Sequence, residues 1–221
     1  MRRGEAAVAL LREVDDRLLL AKVLRNLGVY VAYRGDSARA SGLYQEAMAI
    51  LRSEGDDLGV AVCLINLGNR ARVDGNLDAA QARLTEAVAI ARRLDAPFHV
   101  AAAVGNLGSL ARVRGDLEAA GALNREALRL WAGIEEPVGF ATCLRELAAL
   151  ASGEGRAVRA ARLYGAAAAL CDAPAAPDGQ PVHERAAAVA RARIGRARFD
   201  AAYEAGGRLS MADAAAEALR A

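Results

Sequence analysis

Apolar and small residues return at the same positions every 40 residues along most of the chain. The clearest copy begins with Asn106-Leu107-Gly108, continues with Gly115-Asp116 and ends with Glu126-Ala127. Two upstream copies and one weaker downstream copy stand in the same phase, at 64–68, 24–28 and 144–148. Because no insertion interrupts this period, we interpret the chain as a solenoid, in which each unit buries its apolar face by stacking on its neighbours.

Each copy predicts a helix, a turn and a second helix. In the first segment the apolar face follows helical spacing, at Ala101, Val104, Leu107, Gly108 and Ala111. In the second segment it does so at Ala120, Leu123, Ala127, Leu128 and Leu130. Gly115 ends the first helix, and Asp116 can cap the next one. The pattern therefore predicts an all-α fold of antiparallel helix pairs.

Small residues recur at one position of each helix, where two helices must approach closely. They are Gly28, Gly68, Gly108 and Ala148 on the first helices, and Ala40, Ala80, Ala120 and Ala160 on the second helices. A side chain larger than a methyl group at these positions would hold the helix axes apart.

These residues resemble the tetratricopeptide repeat (TPR), which places a Leu-Gly pair on its first helix and two spaced alanines around an aromatic residue on its second. The pattern is filled by Leu24, Leu27-Gly28, Ala40, Tyr44 and Ala47, and partly again by Ala160, Tyr164 and Ala167. The period of 40 rather than about 34 residues is a departure, as is the missing closing Pro. Armadillo and HEAT repeats have periods near 40, but the Leu-Gly pair and the alanines favour TPR. The resemblance implies a right-handed solenoid whose extra residues lengthen the helices or the links.

Four regions are expected along the chain. Residues 1–16 are interpreted as the second helix of an incomplete repeat, and 17–171 as four TPR-like repeats, near 17–54, 57–94, 97–134 and 137–171. Residues 172–182 form a Pro-rich loop that cannot be helical throughout. Residues 183–221 predict helices that cap the repeat array, the last of them opened by Ser210 as its N-cap.

The half-repeat at the start of the sequence would expose the apolar side chains of Val8, Leu11 and Val14 unless something covers them. Two interpretations remain open. The sequence is a fragment of a longer protein, which we prefer, or the exposed helix pairs weakly with another copy of the chain.

The C-terminal part carries a second resemblance, in 159–167, the Pro-rich loop and 199–211. It is similar to the C-terminal TPR region of large bacterial LuxR/MalT-like transcriptional regulators, which contain an ATPase module. The resemblance implies a sensor or regulatory interaction region. The phosphate-binding Gly-x-x-x-x-Gly-Lys-Ser/Thr loop does not occur in this sequence, whose only lysine is Lys22.

Composition and charge limit the functions that can be expected of the chain. The chain of 221 residues is 54% hydrophobic and 4% aromatic, which suits closely packed helices rich in Ala, Leu and Val. A net charge of +2 gives no argument for nucleic-acid binding, and we expect none. No apolar run approaches the ~18 residues that span a bilayer, so no membrane contact is expected. Cys63, Cys143 and Cys171 are expected to be small core residues of a cytoplasmic protein.

Catalytic chemistry has little support in the sequence. His99 and His183 lie in different structural units and are interpreted as ordinary surface or capping residues. No His or Cys cluster has the spacing of metal ligands. Glu46, Glu86 and Glu126 recur 40 residues apart and are expected to be solvated or to bridge helices. We therefore predict a non-enzyme without a cofactor.

The first helices offer a more promising set of polar residues. In a TPR array these helices line a concave groove, and the resemblance places nine polar residues on that face: Lys22, Arg25, Asn26, Asn66, Asn69, Arg72, Asn106, Arg112 and Arg145. The carboxamide of Asn both donates and accepts hydrogen bonds, as an extended peptide backbone requires. Arginine binds carboxylates through two parallel hydrogen bonds. The alternative is that the asparagines stabilise helix packing and the arginines solvate the surface.

The sequence thus predicts a module that binds a protein or peptide segment, with acidic segments among the candidates, as the regulatory region of a bacterial regulator. The alternative is a small-molecule sensor that holds a metabolite inside the superhelix. An open, polar and basic groove would favour the peptide, whereas a closed pocket with an apolar floor would favour the metabolite.

Overall fold

The part of the chain that the structure describes is built from α-helices, most of them joined by short turns. The computed structural model describes residues 2–14, 16–171 and 180–220, and over these residues it contains twelve α-helices and no β-strand. In chain order they are α1 (Arg2–Glu13), α2 (Arg17–Tyr33), α3 (Ser37–Ser53), α4 (Asp57–Val73), α5 (Leu77–Arg93), α6 (Pro97–Val113), α7 (Leu117–Gly133), α8 (Pro137–Gly153), α9 (Ala157–Leu170), α10 (Gln180–Ile194), α11 (Arg196–Gly207) and α12 (Met211–Leu219). The all-α expectation is confirmed. Most of the predicted Pro-rich loop lies outside the described residues.

The 40-residue period consists of two equal halves. Each helix from α2 to α8 has 17 residues. Links of three residues separate them, so one helix and one link make 20 residues. With the same links, a 34-residue period would leave helices of about 14 residues. The extra residues of this chain therefore lengthen the helices.

The links have a common backbone geometry. Their central residue has a positive φ, between 73° and 87°, at Gly35, Gly55, Gly75, Gly115 and Gly155. The residue that follows caps the next helix through its side chain at Asp36, Asp56, Asn76 and Asp116. Two links have no glycine at the central position, which is occupied by Asp95 with φ of 49° and by Glu135 with φ of 53°. Both precede a helix that begins with proline, α6 and α8.

The chain divides into two compact units, residues 1–106 and 107–221, and α6 contributes to both. In the first unit α2 packs on α3, α3 on α4, and α4 on α5. The predicted close approaches are present. A Cβ on Gly28 would stand 2.6 Å from the ring of Tyr44, and one on Gly68 would stand 2.7 Å from Leu84. The small residues therefore set the helix spacing in this unit.

Successive second helices of the first unit are joined by ion pairs. Arg12 on α1 lies 2.8 Å from Glu46 on α3, and Arg52 on α3 lies 3.2 Å from Glu86 on α5. These two recurrent glutamates bridge helices, as the sequence predicts. Because the pairs are solvent-exposed, each contributes little, about 0–1 kcal/mol.

Helix α1 is more fully packed than the sequence suggests. It lies on α2, and Val8 is only 7% exposed. The expectation that Val8 is uncovered is therefore wrong, because one side of α1 is already occupied by α2. Val14 is 57% exposed as expected, and Leu10 is exposed as well. Self-association through this helix stays a prediction.

In the second unit the last three helices pack on the repeats. Helix α10 contacts α8 and α9, α11 lies along α9, and α12 contacts α7, α8 and α9. Ser210 caps α12 by accepting a hydrogen bond from the Asp213 amide, as predicted. Helix α10 begins three residues before the predicted start at His183, because Pro181 is tolerated in a first helical turn. The α9–α11 crossing brings backbone against backbone, at Gly165 beside Tyr203 and at Gly206 beside Arg162.

The α9–α11 crossing generates a stability prediction. A Cβ on Gly206 would clash with the Arg162 carbonyl oxygen, which is a backbone atom and cannot rotate away. We expect Gly206→Ala to lower the free energy of unfolding by about 3 kcal/mol, measured by urea denaturation. Gly207→Ala is the matched control, because its Cβ would meet nothing closer than 3.7 Å. Equal stabilities for the two variants would show that the crossing is looser than described.

The two links without glycine generate a second prediction. Glutamate at positive φ is more strained than aspartate, which visits this region more easily. Glu135→Gly should therefore raise the free energy of unfolding by about 0.5–1 kcal/mol, and Asp95→Gly by less. Gly115→Ala, at the equivalent position of another link, should lower it by about 1 kcal/mol. Thermal melts of the three variants check this order, and a Glu135→Gly protein that melts below the parent chain would refute it.

Candidate functional site

The first unit presents seven of the predicted site residues on its first helices. Helix α2 carries Lys22, Arg25 and Asn26, helix α4 carries Asn66, Asn69 and Arg72, and the N-terminal part of α6 carries Asn106. Lys22 and Asn26 are exposed, and the other five are half-buried. Helices α2 and α4 contact each other directly. We call these seven residues the first-helix face.

The asparagines of this face differ in whether their side chains already make hydrogen bonds within the chain. Asn106 donates a hydrogen bond of 3.0 Å to the carbonyl of Ala102 in its own helix. The Asn69 Oδ1 atom accepts two hydrogen bonds from the Arg72 guanidinium, at 2.7 and 3.2 Å. Within the described chain, the carboxamides of Asn26 and Asn66 make no side-chain hydrogen bond. Two of the four asparagines therefore keep their full hydrogen-bonding capacity.

The first-helix face is electrically positive around Arg25. Burial lowers the pKa of His99 on α6, and the nearby Arg25 guanidinium lowers this pKa further. Burial raises the pKa of the Cys63 thiol on α4 to about 11, and Arg25 opposes that rise. Arg25 thus acts on residues of both α4 and α6. Neither Lys22 nor Arg25 has an ion-pair partner among the residues that the structure describes.

The second unit uses its equivalent residues differently. Arg112 on α6 donates from Nε to the Glu146 Oε2 atom on α8 at 2.8 Å, and Ser109 donates to Oε1 at 3.2 Å. Glu146 is 5% exposed, and the Arg112 side chain is 17% exposed. The sequence predicts Arg112 to be an open carboxylate-binding group. In the structure Arg112 is paired with a carboxylate of its own chain, so we do not include Arg112 in the proposed site.

His183 joins the same buried cluster from α10. Its Nε2 atom lies 3.8 Å from the Glu146 Oε1 atom, and its ring meets Tyr164 edge-on, with centroids 6.4 Å apart. Burial raises the pKa of Tyr164, and the Glu146 carboxylate raises it further. His183 is 8% exposed, so its interpretation as a surface or capping residue is wrong. Its burial follows from the docking of α10 on α8, which is reinforced by a 2.7 Å hydrogen bond from Ser152 to the Ala186 carbonyl.

This buried cluster was not found from the sequence because its members come from different regions. Glu146 occupies the repeat position of Asn26, Asn66 and Asn106, and that change from amide to acid was the available signal. Arg145, the remaining predicted site residue, donates to the Cys171 carbonyl at 3.3 Å. Arg145 and Glu146, the two charged residues of α8, thus serve contacts within the second unit.

The remaining chemistry is limited. Cys63 and Cys143 are buried free thiols and Cys171 is half-buried, and burial raises the pKa of Cys143 strongly. Over the described residues, no group of three His, Cys, Asp or Glu side chains is placed to hold a metal ion. No helix in those residues is both long and apolar enough to cross a bilayer.

Comparison with known proteins identifies the fold and no family. No family model matches the chain, and no curated protein matches it. Among solved structures, BtubC (BKLC) from P. vanneervenii superposes with a TM-score of 0.59 at 21% identity, over 87% of this chain and 72% of that one. The Rap protein complexed with Competence and Sporulation Factor superposes with a TM-score of 0.73 at 16% identity, over 96% of this chain. This chain spans 59% of the length of that Rap chain. At these identities the likeness concerns the fold alone, and the chain has a TPR-type helical repeat fold.

Proposed function

We propose that the chain is a non-catalytic module that binds an extended protein or peptide segment on the first-helix face. One observation carries the proposal: Asn26 and Asn66 keep free carboxamides on adjacent first helices, beside Lys22 and Arg25, which lack ion-pair partners in the described chain. The likeness of the fold to the Rap protein, which was solved in complex with Competence and Sporulation Factor, supports a binding role.

The chemistry of the face selects the kind of ligand. A carboxamide offers a donor and an acceptor side by side, which matches the alternating N–H and C=O groups of an extended backbone. Such hydrogen bonds to the backbone do not depend on the side chains of the peptide. Arg25 and Lys22 add a preference for acidic side chains or a terminal carboxylate, because a guanidinium fork matches a carboxylate. The proposed partner is therefore an extended acidic segment of a protein.

The cellular role is a further part of the proposal. The C-terminal resemblance to LuxR/MalT-like regulators supports a sensor region of a bacterial signalling or transcriptional regulator that works in the cytoplasm. In that role the module would bind protein, with nucleic acid read by other modules. The alternative, a metabolite sensor, would place the ligand in an enclosed apolar pocket instead of on an open polar face.

Two substitutions on the first-helix face separate the roles of its residues. Asn66→Ala removes hydrogen bonds to a peptide backbone, so it should weaken acidic and neutral peptides alike, by about fivefold, or about 1 kcal/mol. Arg25→Ala should weaken acidic peptides selectively, and this loss should shrink at high salt. The measurement is calorimetric titration with peptides selected from a displayed library, at two salt concentrations.

Arg34→Ala is the control, because Arg34 is an exposed arginine in the link after α2 and lies off the first-helix face. It should bind every selected peptide as the parent chain does. If Asn66→Ala and Arg25→Ala both fold and bind all peptides with unchanged affinity, the first-helix face is not the binding surface.

A further inference from the structure

A cavity of about 550 Å³ lies in the second unit, among α7, the end of α8, the start of α9 and the end of α12. Its size falls in the range of small-molecule sites. Part of its wall is apolar, formed by Leu117, Leu147, Leu150 and Leu219. The rest of its wall is dominated by five arginines, Arg125, Arg129, Arg156, Arg159 and Arg220.

The residues that line this cavity carry an excess of positive charge, although Glu217, outside the lining, lies 3.4 Å from Arg220. Glu118 and Glu154 are its two acidic lining residues, which leaves an excess of positive charge. Glu154 already lies 3.3 Å from Arg156. Arg125 and Arg129 have no ion-pair partner among the described residues. Five guanidinium groups around one cavity repel one another, and an anion placed among them would relieve that repulsion.

Arg159 is held in place at the centre of this group. Its Nη2 atom donates to the carbonyls of Ala218 and Arg220 at the end of α12, at 3.1 and 2.6 Å. Its Nε atom is buried and has no hydrogen-bond partner among the described residues. Burial lowers the pKa of Arg159, the nearby Arg156 and Arg125 lower it further, and Glu217 and Glu154 oppose the shift.

Arg156 stands just before α9, at a position where the helix has no capping side chain. In the same unit, α7 and α8 begin after Asp116 and Glu136, whose carboxylates accept hydrogen bonds from first-turn amides. At the equivalent position before α9 stands Arg156, which makes no side-chain capping bond. Arg156 therefore adds its positive charge to the positive end of the α9 dipole, and an anion in the cavity beside Arg156 would offset both charges.

We propose that this cavity binds a small organic anion, with its phosphate or carboxylate held by the arginines and its apolar body against the leucines. Guanidinium groups bind both anions through paired hydrogen bonds. The leucine wall favours a ligand with a hydrocarbon part over an inorganic ion. The site belongs to the second unit and shares no residue with the first-helix face, so the two proposals can fail separately.

A set of three probes tests the ligand class: hexyl phosphate, inorganic phosphate and hexanol. Binding to the full chain is measured by calorimetry and by the shift in Tm. Hexyl phosphate should bind at least about tenfold more tightly than either inorganic phosphate or hexanol, and its affinity should fall as salt rises. Equal binding of hexyl phosphate and inorganic phosphate, or no binding of hexyl phosphate at millimolar concentration, would overturn the proposal.

Two substitutions locate the anion. Arg125→Gln should weaken hexyl phosphate by about tenfold, whereas Arg196→Gln, an exposed arginine of α11 away from the cavity, should leave its affinity unchanged. Arg156→Asp gives α9 the capping residue that α7 has. It should raise the Tm of the free chain by about 2–4 °C and abolish binding of hexyl phosphate. Hexyl phosphate that binds Arg125→Gln and Arg156→Asp as tightly as the parent chain would place the anion elsewhere and overturn the assignment.

Discussion

The repeats depend on one packing constraint, which is the close approach of paired helices at a single small residue. Gly28 faces Tyr44, Gly68 faces Leu84 and Gly108 faces Asn124, and the nearest atom of each lies 2.5–2.7 Å from where a Cβ would stand. The facing side chain changes from aromatic to aliphatic to amide, while the small residue does not. Because small residues set the distance between the helix axes, the polar positions of the first helices can vary without altering the fold.

That freedom explains why one repeat position serves two purposes. Asn26 and Asn66 keep unused carboxamides in the first unit, whereas Glu146 at the same position is buried by α10 and bound by Arg112. A buried carboxylate requires a charge partner, and Arg112 supplies it to Glu146. Removal of the Glu146 carboxylate would leave the half-buried Arg112 guanidinium unpaired in turn. In the second unit Glu146 therefore serves the docking of α10, whereas in the first unit Asn26 and Asn66 remain available for a ligand.

The fold could be predicted from the sequence to the level of single helices, because period, caps and link residues are all local signals. Asp116 and Ser210 are the predicted caps, and α6 and α8 begin at the predicted prolines. The candidate sites were less predictable, since they depend on contacts between distant segments. The burial of His183 needs α10 to dock on α8, and the arginine-lined cavity needs α12 to return to α7. No repeat pattern contains that information, although Arg156 in place of an acidic cap was a visible irregularity.

The central claim, that an acidic segment binds beside Arg25, is tested most directly by the NMR titration of His99. In the free chain its pKa should lie below the ordinary value of 6.5, because of burial and the positive charge of Arg25. An acidic peptide bound at Arg25 should raise that pKa, since a nearby negative charge favours the protonated imidazole. Saturating binding of such a peptide with no change in the pKa of His99 would contradict the account.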